Sequence, residues 1–127
     1  MKTKLYLLVL VIVLASLGLA ACGGGSSSDA AFPTGTFVDS QDSNRGYIFN
    51  ADNTWSYFSL GTGTISATGT YSVDGNRWTE AGGQDNCQPA TYVWTFDGSN
   101  LTFKLQGKDE CAARSASLDG HTFILKK

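Results

Sequence analysis

Three cysteines, a single histidine, an acidic loop and one arginine beside it are the residues of this 127-residue chain whose types and spacing could do chemistry. Cys87 and Cys111 flank an alternating apolar stretch, and Cys22 closes an apolar run. Asp109 and Glu110 stand next to Cys111. Paired carboxylates can act as acid and base, but here they read as a solvated loop. His121 follows Asp119-Gly120 and reads as a surface residue beside a turn. One histidine and two bonded cysteines cannot supply a structural zinc site. Asp39, Asp42 and Asp52 lack the spacing of a calcium loop. Phosphate-loop and nucleophile-elbow motifs are absent from the sequence. This inventory argues against an enzyme and calls for no cofactor.

The elements that must position these groups are strands. Tyr92, Trp94 and Phe96 alternate onto one face, and Leu101, Phe103 and Leu105 onto one face of a return strand. Asp97-Gly98 between them is a strong hairpin signal. Counting outward from a turn centred on Gly98–Ser99, Cys87 falls opposite residue 110, one place from Cys111. The two cysteines therefore meet if the hairpin extends. Such a bridge closes a loop of about 25 residues and stabilises by roughly 3.5 kcal/mol in the chain-entropy model.

Strands are also expected at Thr36–Val38, Gly46–Asn50, Thr54–Ser59, Ile65–Val73, Asn76–Glu80, Ser115–Leu118 and Thr122–Leu125. No stretch after residue 21 shows a helical period. Asp74-Gly75, Asp97-Gly98 and Asp119-Gly120 punctuate a weak repeat, which reads as one strand–turn–strand unit used three times. Eight or nine short strands in a meander predict a small antiparallel up-and-down β-barrel, because closure removes exposed edges. Inward aromatics would fill much of it, unless Ala67, Gly69 and Ala116 face inward together and leave a cavity. Tyr92, Trp94 and Phe96 should point inward, since the face carrying Val93 and Thr95 is smaller and more polar. Trp94 fluorescence should then respond to an apolar ligand.

At the N-terminus, Lys2 and Lys4 precede an apolar run from Leu5 to Leu19, the layout of a helical signal peptide. Leu19-Ala20-Ala21-Cys22 resembles the lipobox of bacterial lipoproteins. The resemblance implies cleavage before Cys22 and acylation (palmitate or its like) of that cysteine. It also implies an envelope location, at the outer membrane in a Gram-negative host because residue 23 is Gly rather than Asp. Residues 1–21 are then signal, 22–31 a Gly/Ser-rich tether and 32–127 the folded domain. With Cys22 committed to lipid, Cys87 and Cys111 are left to pair in an oxidising compartment. Removing Lys2 and Lys4 leaves seven basic against eleven acidic residues. The charges are scattered, with no basic patch, which excludes nucleic acid as a partner.

Tyr92-x-Trp94-x-Phe96-Asp97-Gly98-x-x-Leu101-Thr102-Phe103, then Asp109-x-Cys111-x-x-Arg114 and Leu118-Asp119-Gly120, resemble small bacterial lipocalin-like domains. Gly35-Thr36-Phe37 stands where lipocalins carry Gly-x-Trp. The resemblance implies a calycin-type barrel of about eight strands, with Arg114 closing one end over Phe37. It also implies a small apolar or amphipathic ligand. Trp94, Tyr92, Tyr71 and Arg114 are the expected contacts, and Arg114 could instead meet an anionic group. The competing expectation is a protein-binding module, for instance an inhibitor of an envelope-attacking hydrolase. Cavity volume discriminates: roughly 300 Å³ or more favours the ligand, and a filled barrel with an exposed apolar patch favours the protein partner.

Overall fold

A computed structural model describes residues 30–59, 61, 63–81 and 86–127. The leader, Cys22 and the lipobox lie outside the described residues. Eight strands follow one another: β1 (Gly35–Asp39), β2 (Arg45–Phe49), β3 (Thr54–Ser59), β4 (Thr64–Asp74), β5 (Arg77–Ala81), β6 (Ala90–Phe96), β7 (Asn100–Gln106) and β8 (Thr122–Leu125). Each pairs antiparallel with its neighbour in sequence, and β8 returns to β1, so the sheet is a closed up-and-down barrel. Closure satisfies the backbone groups that an open edge would leave bare.

The central hairpin has the expected register. Trp94 faces Phe103 and Phe96 faces Leu101. The turn holds itself: Asp97 Oδ1 accepts from the backbone N–H of Ser99 at 2.9 Å and of Asn100 at 2.7 Å. Gly98 takes φ 98°, which a side chain would resist. Asp74-Gly75 likewise turns β4 into β5.

The third Asp-Gly pair ends a helix instead. Ser115–Leu118, expected as a strand, belongs to α1 (Ala112–Leu118). Three alanines among seven residues, and no β-branched side chain, favour this conformation. Two turns are too short to display a period, and Leu118 is the one buried residue of the helix. Ala116, expected to face inward, is exposed on it.

Alternation along the strands sends aromatic side chains inward. Phe37, Phe49, Trp78, Tyr92, Phe103 and Phe123 are almost wholly buried, with Tyr47, Trp55, Tyr71 and Trp94 close behind. Most rings meet at inclined angles, as at Phe103–Trp78, where centroids are 5.2 Å apart, while Tyr47 and Phe49 stack at 7°. Phe32, just before β1, packs on Phe49, Tyr71 and Trp94 and covers the barrel end where β1 begins.

Outside, one cross-strand row is apolar. Ile124 faces Val38, Val38 faces Gly46, Gly46 faces Phe58, and Phe58 faces Ile65. A Cβ on Gly46 would strike the Phe37 carbonyl and stand 2.9 Å from the Phe58 ring. The glycine leaves room for the Phe58 ring, which is buried, while Ile65 and Ile124 stay exposed.

Candidate functional site

The loops at the other end of the barrel form its mouth. Tyr47 on β2 and Tyr57 on β3 are directly opposed, ring centroids 5.0 Å apart. Trp55, also on β3, meets Tyr47 at 5.8 Å. On β4, small residues answer them: Ala67 faces Tyr57 and Gly69 faces Trp55. A Cβ on Gly69 would stand 2.7 Å from Cε2, Cζ2 and Nε1 of Trp55 alike. The glycine thus leaves room for the indole that any side chain would take. Large rings on one strand and small residues on the next leave a cavity of about 160 Å³. Glu80, Arg114, Ala113, Ser117 and the Cys87–Cys111 pair complete its lining.

Polar groups of the mouth converge on Arg114. Its Nε and Nη2 donate to the two oxygens of Asp109, each at 2.7 Å. Nη2 also donates to the Gln88 carbonyl at 2.7 Å, and Nη1 donates to Glu80, which is 1 % exposed. The fork geometry suits a planar guanidinium. Asp109 additionally accepts from the Tyr92 hydroxyl at 2.5 Å and from the Cys111 N–H at 2.7 Å. Burial opposes ionisation of Asp109, yet the hydrogen bonds from Arg114, Tyr92 and Cys111 outweigh it and hold the carboxyl below its ordinary range. Hydrogen bonding to Asp109, and then the nearby charge of Glu80, raise the Arg114 pKa against the effect of burial. Burial first, and the bond to Asp109 second, push the Tyr92 hydroxyl far up. Tyr47 is pushed up chiefly by burial, so both phenols stay neutral.

Cys87 and Cys111 are bonded, Cα atoms 5.8 Å apart. They sit beyond the hairpin, since β6 begins at Ala90 and β7 ends at Gln106. The bridge ties the loop before β6 to the residue at which α1 starts. Arg114 is thereby brought over Glu80.

Several expected placements are corrected. Arg114 does not close over Phe37, which meets Phe49 and Phe96 instead. Its donors are turned to carboxylates, which outcompete a ring face. Asp109 is not solvated, because its side chain is fully covered by Arg114 and Tyr92. Glu110 is exposed and pairs with Lys108. His121 is partly buried, with Nδ1 3.1 Å from Asp39.

Of the four expected ligand contacts, Arg114 alone lines the mouth cavity, and Tyr92 lies behind it through Asp109. Tyr71 and Trp94 sit at the opposite end, where Phe32 packs against both. Tyr71 donates to the Asn50 carbonyl there at 2.9 Å. Open grooves run beside these two residues and Ala30. Tyr47, Trp55 and Tyr57 were not expected at a site. The signal that could have found them was the pairing of aromatic β3 with small-residue β4.

No family model, no curated protein and no solved structure matches the chain.

Proposed function

We propose that this chain is a non-enzymatic lipoprotein of the bacterial cell envelope, anchored through Cys22, whose lipocalin-like barrel binds a small amphipathic molecule at its mouth. The mouth cavity is the observation that carries the reading. It joins an aromatic wall to a few fixed polar groups, the usual make-up of a ligand site. At about 160 Å³ it falls short of the volume expected for a drug-sized ligand. An apolar cavity of roughly 150 Å³ holds benzene, so the ligand, or the part of it that enters, is the size of one ring or a short branched chain.

The test is a titration of the purified mature protein with single-ring amphipathic probes, followed by tryptophan fluorescence. Saturable change that disappears in Trp55→Phe supports the reading. A flat response to every probe, with an envelope protein retained on the immobilised domain, overturns it. That second outcome would favour a protein-binding module such as a hydrolase inhibitor. Exposed Ile124 and Ile65, at the two ends of the outer apolar row, are what speak for this alternative.

A further inference from the structure

We infer that the closed end of the barrel is a second binding site, for an uncharged molecule of one aromatic ring, and that the chain fills this site with its own Phe32. The site lies at the end opposite the mouth and does not depend on the ligand reading given above.

Phe32 itself outlines the site. Its ring centroid lies 5.1 Å from Phe49, 5.2 Å from Tyr71, 5.2 Å from Trp94 and 6.3 Å from Phe103. The contacts with Phe49 and Trp94 are edge-on, at 88° and 86°, an arrangement that aromatic rings favour. These four walls belong to β2, β4, β6 and β7. They are built into the barrel, whereas Phe32 stands ahead of β1 and belongs to no strand.

The attachment of Phe32 is slight beside that of its walls. Among the described residues, no hydrogen bond or ion pair holds residues 30–34. Pro33 has no N–H to donate. Ala30, Ala31 and Thr34 are exposed, and Phe32 is half-buried. Ring contacts are thus set against the entropy that these residues lose on ordering. All eight seams of the barrel lie between residues 35 and 125, so the segment can lift away with every ladder in place. Its departure would bare Phe49 and Phe103, which are 1 % and 0 % exposed with Phe32 seated. Water at such walls is unfavourable, and another ring would cover them again.

The surroundings set the charge of the occupant. Two open grooves run beside the segment, of about 410 and 230 Å³. Ala51 and Asn53 from one turn, and Val73, Gly75 and Asn76 from another, are among the residues that line them. None of the described lining residues carries a charge. An ion entering here would leave water without gaining a partner, which is costly. The Tyr71 hydroxyl is already committed to the Asn50 carbonyl, at 2.9 Å. A neutral ring meets no such cost.

The experiment titrates the purified mature protein and its Phe32→Ala variant with benzyl alcohol, an uncharged and water-soluble ring, and with benzoate. NMR shifts of the Trp94 and Trp55 indoles separate this site from the mouth. A site open in about 0.1–10 % of molecules binds about ten- to a thousandfold more weakly than one always open. Phe32→Ala should therefore bind benzyl alcohol at least tenfold tighter at Trp94, with the Trp55 response unchanged. In the wild type, benzyl alcohol should weaken the nuclear Overhauser contact between the Phe32 and Trp94 rings. The contact between Trp94 and Phe103, which pair across β6 and β7, should persist and show that the barrel is intact. Benzoate should do neither. Equal affinity of wild type and variant at Trp94 overturns the inference. So does a Phe32–Trp94 contact that withstands benzyl alcohol at every concentration the fold tolerates, for Phe32 is then a fixed part of the core. Benzoate binding as tightly as benzyl alcohol overturns the ligand class. If Phe32→Ala does not fold, the wild-type contacts alone decide. A response at Trp55 without one at Trp94 overturns this site and leaves the mouth reading standing.

Discussion

Phe32 stands edge-on to Trp94, with ring centroids 5.2 Å apart and planes at 86°. The contact joins a residue ahead of β1 to the middle of the β6–β7 hairpin. Phe32 also lies 5.1 Å from Phe49 and 5.2 Å from Tyr71. It acts as a stopper at the end of the barrel opposite the mouth. Ala30, at which the described residues begin, also lies at that end.

Trp94 is 6 % exposed and packed on the hairpin's inward face. Trp94→Ala should destabilise by about 3–5 kcal/mol, as other large aromatic deletions in cores do. Urea denaturation of the variant measures it. A near-neutral effect would mean that the Phe32 stopper is not seated. Because Trp94 lies away from the mouth, Trp55 and not Trp94 should report a ligand.

Removing the bridge should cost on the order of 3.5 kcal/mol through the freer unfolded chain. Cys87→Ala paired with Cys111→Ala, compared with wild type by thermal melting, checks this. The bridge also sets the start of α1. The double variant should therefore lose mouth binding even at temperatures where the barrel remains folded. Binding retained at full strength would show that α1 holds Arg114 without the bridge.

The Asp109–Tyr92 bond gives stability two pH limits of opposite sign. Asp109 has its folded pKa below the ordinary 3.8. Its contribution is thus present above that value and is lost as pH falls through the folded one. Tyr92 has its folded pKa above the ordinary 10.0. Its contribution is present below 10.0 and is lost as pH rises toward the folded value. Urea midpoints should fall below about pH 4 and above about pH 10. Tyr92→Phe should flatten the alkaline limb, and Asp109→Asn the acid limb. Unchanged limbs would assign the losses to other groups.

Cys22→Ser should leave a precursor that is neither cleaved nor labelled by palmitate. Metabolic labelling with an immunoblot for size distinguishes the outcomes. Normal processing of the variant would remove the lipid anchor from the proposal.

Most strands were legible because alternation in them is undisturbed. Tyr92, Trp94 and Phe96 fall inward from one glance at their spacing, and Asp97-Gly98 fixes the register. The helix was not legible. Ala112–Leu118 has no side-chain cap and no acidic residue in its first turn. It is held by Cys111 and Leu118 more than by its own signals. The Arg114 cluster was hidden for another reason. Glu80 is 34 positions from Arg114, and only the register of β5 against β6, with the bridge, brings them together. Asp109 was misread as solvated because its nearness to Cys111 says nothing of Tyr92, 17 positions away. The mouth aromatics needed the β3–β4 pairing, which a bulge between Tyr57 and Phe58 shifts by one residue.

The order of strands has a consequence for how the chain folds. Seven of the eight seams join strands that are neighbours in sequence, and those joined by short turns can zip as local hairpins. The eighth, between β8 and β1, joins the two ends of the sheet and must bridge the longest stretch of chain. Contacts this distant form slowly, because the entropy of closing the loop is lost before the contacts compensate. Until Thr122–Leu125 docks, the molecule is a curled sheet with β1 and β7 as raw edges. Those edges are templates for pairing with another chain. The exposed Ile124 sits in that final strand, beside Val38 on β1. Loss or delay of four residues at the closing seam would therefore convert a barrel without edges into an intermediate prone to join its own copies.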